Sequence, residues 1–133
     1  MAHYVTDTHA LIWHLQNSRK LSRKAGALFR EADAGRAVIV VPSIVLVELV
    51  YLAEKRRVDP AMTDQVFVLL RSGAQNYIVA PLEAETVQML RGIDRSQVPE
   101  MPDRIITATA KQLGLPLITR DPEIAAGAVR VIW

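Results

Sequence analysis

The chain has no cysteine among its 133 residues. Disulfides and thiolate metal sites are therefore excluded, which fits a reducing compartment such as the cytoplasm. It also lacks any long apolar run: the longest uncharged apolar stretch, residues 37–47, is interrupted by Pro42 and Ser43. The opening "MAHYVTD" has no basic segment leading into an apolar one, so neither a secretory signal nor a membrane span is expected. Glycine-rich phosphate loops of the GxGxxG or GxxxxGK[ST] kind are missing, which removes dinucleotide-binding and P-loop chemistry. Aromatic residues are scarce, at 5%. Trp13, Phe29, Tyr51, Phe67, Tyr77 and Trp133 fall mostly at core-like spacing, with Tyr4 beside them, and no stacking platform for single strands is visible. Nor is there a large charge of one sign. The net charge of +2 makes basicity alone a weak argument for nucleic acid.

What is present is a chain that is half apolar and 23% charged, of a length that suits one domain spanning residues 1–133. Short β-branched runs alternate with helical patterns. "HYVTD" reads as a strand and "THALIWHLQ" as a helix that Asp7 or Thr8 caps; "LSRKAGALFREADAG" is a helix capped by Ser22 with Gly35 just past its end. The strand "AVIVV" is too apolar to have a wet face, and Pro42-Ser43 then opens a further helix. "DPAMTDQVFVLLRSG" is a helix, "NYIVA" a strand, "EAETVQMLRG" a helix and "IDRSQVPEM" a loop. "PDRIITATAKQLG" is a helix closed by Gly114, followed by the strand "LPLIT", a short turn or helix "DPEIAAG" and a last strand "VRVIW". Alternation of this kind predicts an α/β fold with a mostly parallel sheet covered on both faces. Ligands of such sheets bind beyond the carboxyl ends of the strands.

Four acids fall at that edge. Asp7 follows the first strand and Asp121 the fourth; Asp103 lies in the first turn of the helix leading into the fourth strand; Glu48 lies in the second turn of the helix after "AVIVV". Glu48 is the only polar residue between Ile44 and Ala53. An unpartnered carboxylate buried there would cost several kcal/mol, so a salt bridge or a function is required. If the four carboxylates stand about 5 Å apart, each pair repels by roughly 3 kcal/mol at an effective dielectric of about 20. Protonation or cations must relieve that. Hard oxygen donors without sulfur point to Mg²⁺ or Mn²⁺. His3, His9 and His14 show no zinc spacing. An acidic pocket holding such ions is the usual means of activating water on a phosphodiester. Glu48 is then a ligand, or the base that orders the water.

The segments "VTDTHALIW", "PSIVLVELV", "PDRIITATAKQLGLPLITRD" and "VRVIW" together resemble PIN domains, specifically the VapC-type toxins of bacterial toxin–antitoxin pairs, over essentially the whole chain. The resemblance implies a three-layer α/β/α fold around a five-stranded parallel sheet and a divalent-metal-dependent endoribonuclease using Mg²⁺ or Mn²⁺. Asp7, Glu48, Asp103 and Asp121 would be its acidic metal-binding set, with Thr119 supporting them. Thr8 and Arg104, adjacent to Asp7 and Asp103, are further supporting candidates. The resemblance also implies an RNA substrate, a homodimer and an antitoxin that occludes the site. His9 is either a contact at the rim or a packing residue.

Cations must hold phosphates apart from such a site. Arg19, Lys20, Arg23 and Lys24 are candidates, while Lys55, Arg56 and Arg57 read more simply as a solvated helix end. The apolar stripe of Val45, Leu49 and Leu52, with "VFVLL" after it, is either core or partly an interface. The alternative to a nuclease is a PIN-like RNA- or protein-binding module with weak or no cleavage.

Overall fold

The structure is a computed structural model that describes residues 1–72, 76–121, 124 and 129–133. Among these residues, the chain runs β1 (Ala2–Thr6), α1 (Thr8–Leu15), α2 (Arg23–Asp33), β2 (Ala37–Pro42), α3 (Ser43–Glu54), α4 (Pro60–Arg71), β3 (Tyr77–Ala80), α5 (Ala84–Leu90), α6 (Met101–Leu113), β4 (Leu117–Ile118) and β5 (Val131–Ile132). Local chemistry sets these boundaries. The carboxylate of Asp7, rather than Thr8, caps α1 by accepting the Ala10 amide; Ser22 does the same for α2 and Asp59 for α4. Gly114 ends α6 in the left-handed region at φ 66°, where a side chain would be strained.

The five strands form one parallel sheet in the order β3-β2-β1-β4-β5. Every residue of β2 is buried. Because strand side chains alternate in direction, this requires cover on both faces and makes the fold a three-layer α/β/α sandwich. Helix α2 packs on β2 through Ala25, Phe29 and Ala32, a helical stripe. Helix α6 packs on β1 and against α3 and α5. The core joins Val5, Leu11, Phe29, Ile39, Val41, Val45, Leu49, Ile106, Leu117 and Ile118.

Strand β4 is shorter than "LPLIT" suggests. Pro116 has no amide to give to the ladder, yet its carbonyl still accepts the Val5 amide at 2.9 Å. The turn or helix expected over 121–127 lies, apart from Asp121 and Ile124, outside the described residues. The stripe on α3 divides differently from the interface expectation: Val45 and Leu49 are wholly core, and the exposed apolar row is Val47, Val50 and Tyr51. Tyr51, expected inside, is 59% exposed.

The chain lays β1, β2 and β3 in one direction, then crosses back to place β4 on the other side of β1. A crevice opens at such a switch point, beyond the carboxyl ends of β1 and β4. The strand ends are laced there: the Asp7 amide donates to the Ile118 carbonyl at 3.1 Å, and the Thr119 amide to the Ile132 carbonyl at 3.3 Å.

Candidate active site

Those backbone bonds put Asp7 and Thr119 side by side at the crevice. The Asp7 carboxylate accepts the Ala10 amide at 2.8 Å and interacts with the Thr119 hydroxyl. Thr119 is itself 1% exposed, and its hydroxyl oxygen also accepts the Asp121 amide at 3.2 Å, which pins the turn carrying Asp121. On the other side of Asp7, the buried Thr8 hydroxyl donates to Oε1 of Glu48. This contact joins the start of α1 to the second turn of α3 and fixes the Glu48 side chain. No salt bridge to Glu48 exists among the described residues, where Arg36 pairs with Glu31 and the His14 ring hydrogen-bonds Asp33.

The crevice has two adjoining pockets that share Asp7, His9 and Asp103. The larger, about 530 Å³, also carries Thr119, Asp121, Trp13, Lys20 and Arg120. The smaller, about 200 Å³, carries Glu48, Thr8 and Glu100. All four predicted acids therefore face one cleft, with Asp7 and Asp103 at its middle and Glu48 and Asp121 to either side.

Their charges interact. Burial and, after it, the carboxylates of Glu48, Asp7, Asp121 and Glu100 push the Asp103 pKa up from 3.8 to about 6. Burial also raises the pKa of Asp7, an effect opposed by the Thr119 hydroxyl, the Ala10 amide and nearby His9, and reinforced by Glu48. Crowding that penalises ionisation in this way is common at functional sites. As placed, however, no group of three or more His, Cys, Asp or Glu side chains among the described residues is gathered so as to hold a metal ion. The acids share a cleft without converging on one point.

Arg104 departs from expectation. Its guanidinium donates to the carbonyls of Leu90 at 3.1 Å and Ile93 at 3.2 Å, tying the end of α5 to α6 rather than binding a carboxylate. The final carbonyls of a helix need donors, and Arg104 supplies one from one turn inside the neighbouring helix. Its link to the site is through the position of α6. Glu100 was not singled out in the sequence. It stands three residues before Asp103, one helical turn away on the same face, and "PEMPD" contains that signal. Trp13 is buried in the core, as its spacing predicts, and also lines the larger pocket.

The PIN domain family matches residues 4–129 of this sequence. The chain belongs to the PIN-domain family. Solved structures carry the same architecture. The structure is similar to that of VapBC2 from Rickettsia felis bound to a promoter DNA fragment (16% identity, 98% of this chain and 97% of that one covered, TM-score 0.64). It is also similar to a toxin–antitoxin complex from Klebsiella pneumoniae (23% identity, 98% and 96% covered, TM-score 0.65) and to DNA-bound VapBC from Salmonella typhimurium (17% identity, 99% and 98% covered, TM-score 0.66). At these identities the likeness is one of fold. No curated protein matches the sequence at a significant level. In this PIN domain no helix among the described residues is long and apolar enough to cross a membrane.

Proposed function

We propose that this PIN domain is a divalent-metal-dependent endoribonuclease acting as the toxin of a VapBC-type pair, with residues 1–133 forming one domain. The observation that carries the reading is the arrival of Asp7, Glu48, Asp103 and Asp121 from four separate chain segments at one cleft, over the switch point of a parallel sheet. A binding module has no physical need for an acid within the apolar run of α3.

The donor chemistry suits a hard cation: carboxylates, with no cysteine in the chain. The raised Asp103 pKa is the mark of negative charge that a cation would neutralise. Asp7, Asp103 and Asp121 are assigned as the residues that hold Mg²⁺ or Mn²⁺, and their side chains must turn inward to do so. The ion supplies charge stabilisation at the phosphoryl and leaving oxygens and a more acidic water. Glu48, oriented by Thr8, accepts the proton of the attacking water or aligns it. Thr119 holds Asp7 and the Asp121 turn in register. In-line attack at phosphorus then leaves a 3′-hydroxyl and a 5′-phosphate; cyclic phosphate products would refute that step.

The solved relatives are described as toxin–antitoxin complexes, which supports a protein antitoxin as partner. The exposed row of Val47, Val50 and Tyr51 gives an apolar surface suited to a second copy. Action in the cytoplasm fits the absence of cysteine. The rival, a binding module, draws on the acids standing apart as placed.

The test is cleavage of a panel of tRNA, rRNA and mRNA with Mg²⁺, with Mn²⁺ and with chelator, beside an Asp7→Asn, Asp103→Asn double variant purified identically. Cutting at defined sites that needs metal and vanishes in the variant is expected. Metal binding without any cutting would favour the binding module.

A further inference from the structure

The larger pocket has a second wall, facing the carboxylates. The Arg120 guanidinium carbon lies 4.7 Å from the centre of the Trp13 ring system, and the Lys20 ammonium lies 6.0 Å from it. Trp133 meets Trp13 edge-on at 5.9 Å, and the His9 ring is 5.7 Å away. Arg120 follows Thr119 directly, in the turn pinned by the Asp121 amide.

Arg120 and Lys20 share this pocket with Asp7, Asp103 and Asp121, yet neither forms an ion pair among the described residues. A flexible cation near three acids would ordinarily swing onto one of them. Contact with the face of Trp13 gives the Arg120 guanidinium another place to rest, because the ring face attracts cations. The cleft is thereby divided in charge. Its smaller part, with Glu48 and Glu100, has no lysine or arginine in its lining, whereas its larger part holds both cations. A polyanion can approach such a cleft from one side only.

We propose that Arg120, laid over Trp13, and Lys20 form a phosphate clamp that grips a backbone phosphate next to the one to be cut, and so positions an unpaired RNA strand across the acids. The clamp rests on the nuclease reading for the identity of the strand. A pocket of about 530 Å³ has room for a nucleotide-sized segment of an unpaired strand. A guanidinium already held against an aromatic face loses less freedom on binding phosphate than a free one, so Arg120 is the stronger partner. Both are positioning residues, and neither performs chemistry.

The probe is a labelled single-stranded oligoribonucleotide of mixed sequence, followed by fluorescence anisotropy in chelator across a range of salt. Arg120→Ala is expected to weaken binding about tenfold at low salt, and to reduce the slope of log affinity against log salt by about 0.7, one phosphate contact on a single strand. Lys20→Ala should lose less slope and less affinity, since Arg120 still holds the same phosphate. Arg120→Lys should keep the slope and recover only part of the affinity. Arg36→Ala, which loses a cation paired with Glu31 outside the cleft, should match the wild type. Both tryptophans of the chain sit at the clamp, so intrinsic fluorescence should change on RNA addition in the wild type and less in Arg120→Ala. Arg120 is exposed, so the variant should fold normally, which a thermal melt checks.

The clamp is overturned if the wild type binds no RNA, if Arg120→Ala and Lys20→Ala bind like the wild type, or if Arg36→Ala loses as much. Cleavage in Mg²⁺ separates the two readings. Cutting with KM unchanged in Arg120→Ala refutes the clamp and leaves the nuclease standing. Wild-type binding that depends on Arg120 without any cutting refutes the nuclease and leaves the clamp.

Discussion

Replacing Asp103 with asparagine removes a carboxylate whose ionisation burial and the surrounding acids disfavour. An aspartate whose pKa is 3.8 when free and about 6 when folded binds its proton more tightly in the native state. Native stability therefore falls as pH rises from about 4 to 6 and stays reduced above that. A rise of this size corresponds to about 3 kcal/mol for a group shut off from water. Asp103 is only half-buried, and solvent screening reduces that to about 1.5 kcal/mol. The carboxylate also gains about 0.5 kcal/mol from the first turn of α6, which asparagine loses. Asp103→Asn should thus stabilise the metal-free protein by about 1 kcal/mol at pH 7.5, which for a domain of this size is a Tm increase of about 4 °C. Near pH 3.5, where the native carboxyl is already neutral, the gain should disappear.

Thermal melts of both proteins in chelator at the two pH values measure this directly. A second set with Mg²⁺ or Mn²⁺ is expected to reverse the order if Asp103 is a ligand, because the wild type would gain about 1.4 kcal/mol at roughly tenfold saturation and the variant much less. If Asp103→Asn is destabilised at pH 7.5 without metal, charge crowding is not what governs Asp103. If the variant gains as much from metal as the wild type, Asp103 is not a ligand.

Glu48→Gln keeps an oxygen to accept from Thr8 but loses the charge, so cleavage should fall at least about 100-fold while the metal-free melt stays level or rises; a marked drop in Tm would assign Glu48 a structural role instead. Arg104→Met takes the guanidinium from the Ile93 carbonyl and leaves the Leu90 carbonyl with the Ile93 amide alone, and should cost about 1–3 kcal/mol in urea unfolding; a neutral result would mean that water replaces the guanidinium freely. Gly114→Ala forces a side chain into φ 66° and should cost about 1 kcal/mol, with RNA binding unchanged; equal stability would refute the strain argument.

The parts of this fold that were legible in the sequence are those fixed by neighbours along the chain. Asp7, Ser22 and Asp59 cap the helices they precede, and Gly114 ends its helix because of a backbone angle. The unbroken apolar run of β2 announces a strand covered on both faces. The acids of the cleft were legible for a related reason: each stands at the end of a strand or in the opening turns of a helix, and a parallel sheet gathers those positions at one edge. What depended on distant partners was not legible. Trp13 follows Leu11 and Ile12 in an apolar run, and only the arrival of Arg120, more than a hundred residues later, makes it the wall of a pocket. The arginine beside Asp103 suggested a role at the carboxylates, yet its partners are carbonyls at the end of another helix. Tyr51 shares α3 with buried Leu49 but lies on its exposed side.

The cleft also explains why acids this costly are arranged as they are. Carboxylates at strand ends and in first helical turns are each locally comfortable, since helix N-termini favour negative charge. The fold turns that local comfort into a collective conflict by bringing the four segments to one edge, where burial first and the neighbouring carboxylates after it raise the pKa values of Asp103 and Asp7. The Thr8 and Thr119 hydroxyls hold Glu48 and Asp7 in place despite the repulsion, so the side chains cannot simply swing apart into water. On the proposed reading a cation would have a double effect: it would relieve repulsion already present in the folded chain, and it would draw in the carboxylates that stand apart without it. Binding of metal and ordering of the site are on this account one event, so the metal concentration that half-activates cleavage should equal the one that half-saturates the gain in Tm at the same temperature. Activation at far lower metal than stabilisation would mean that the ions serving catalysis are held elsewhere.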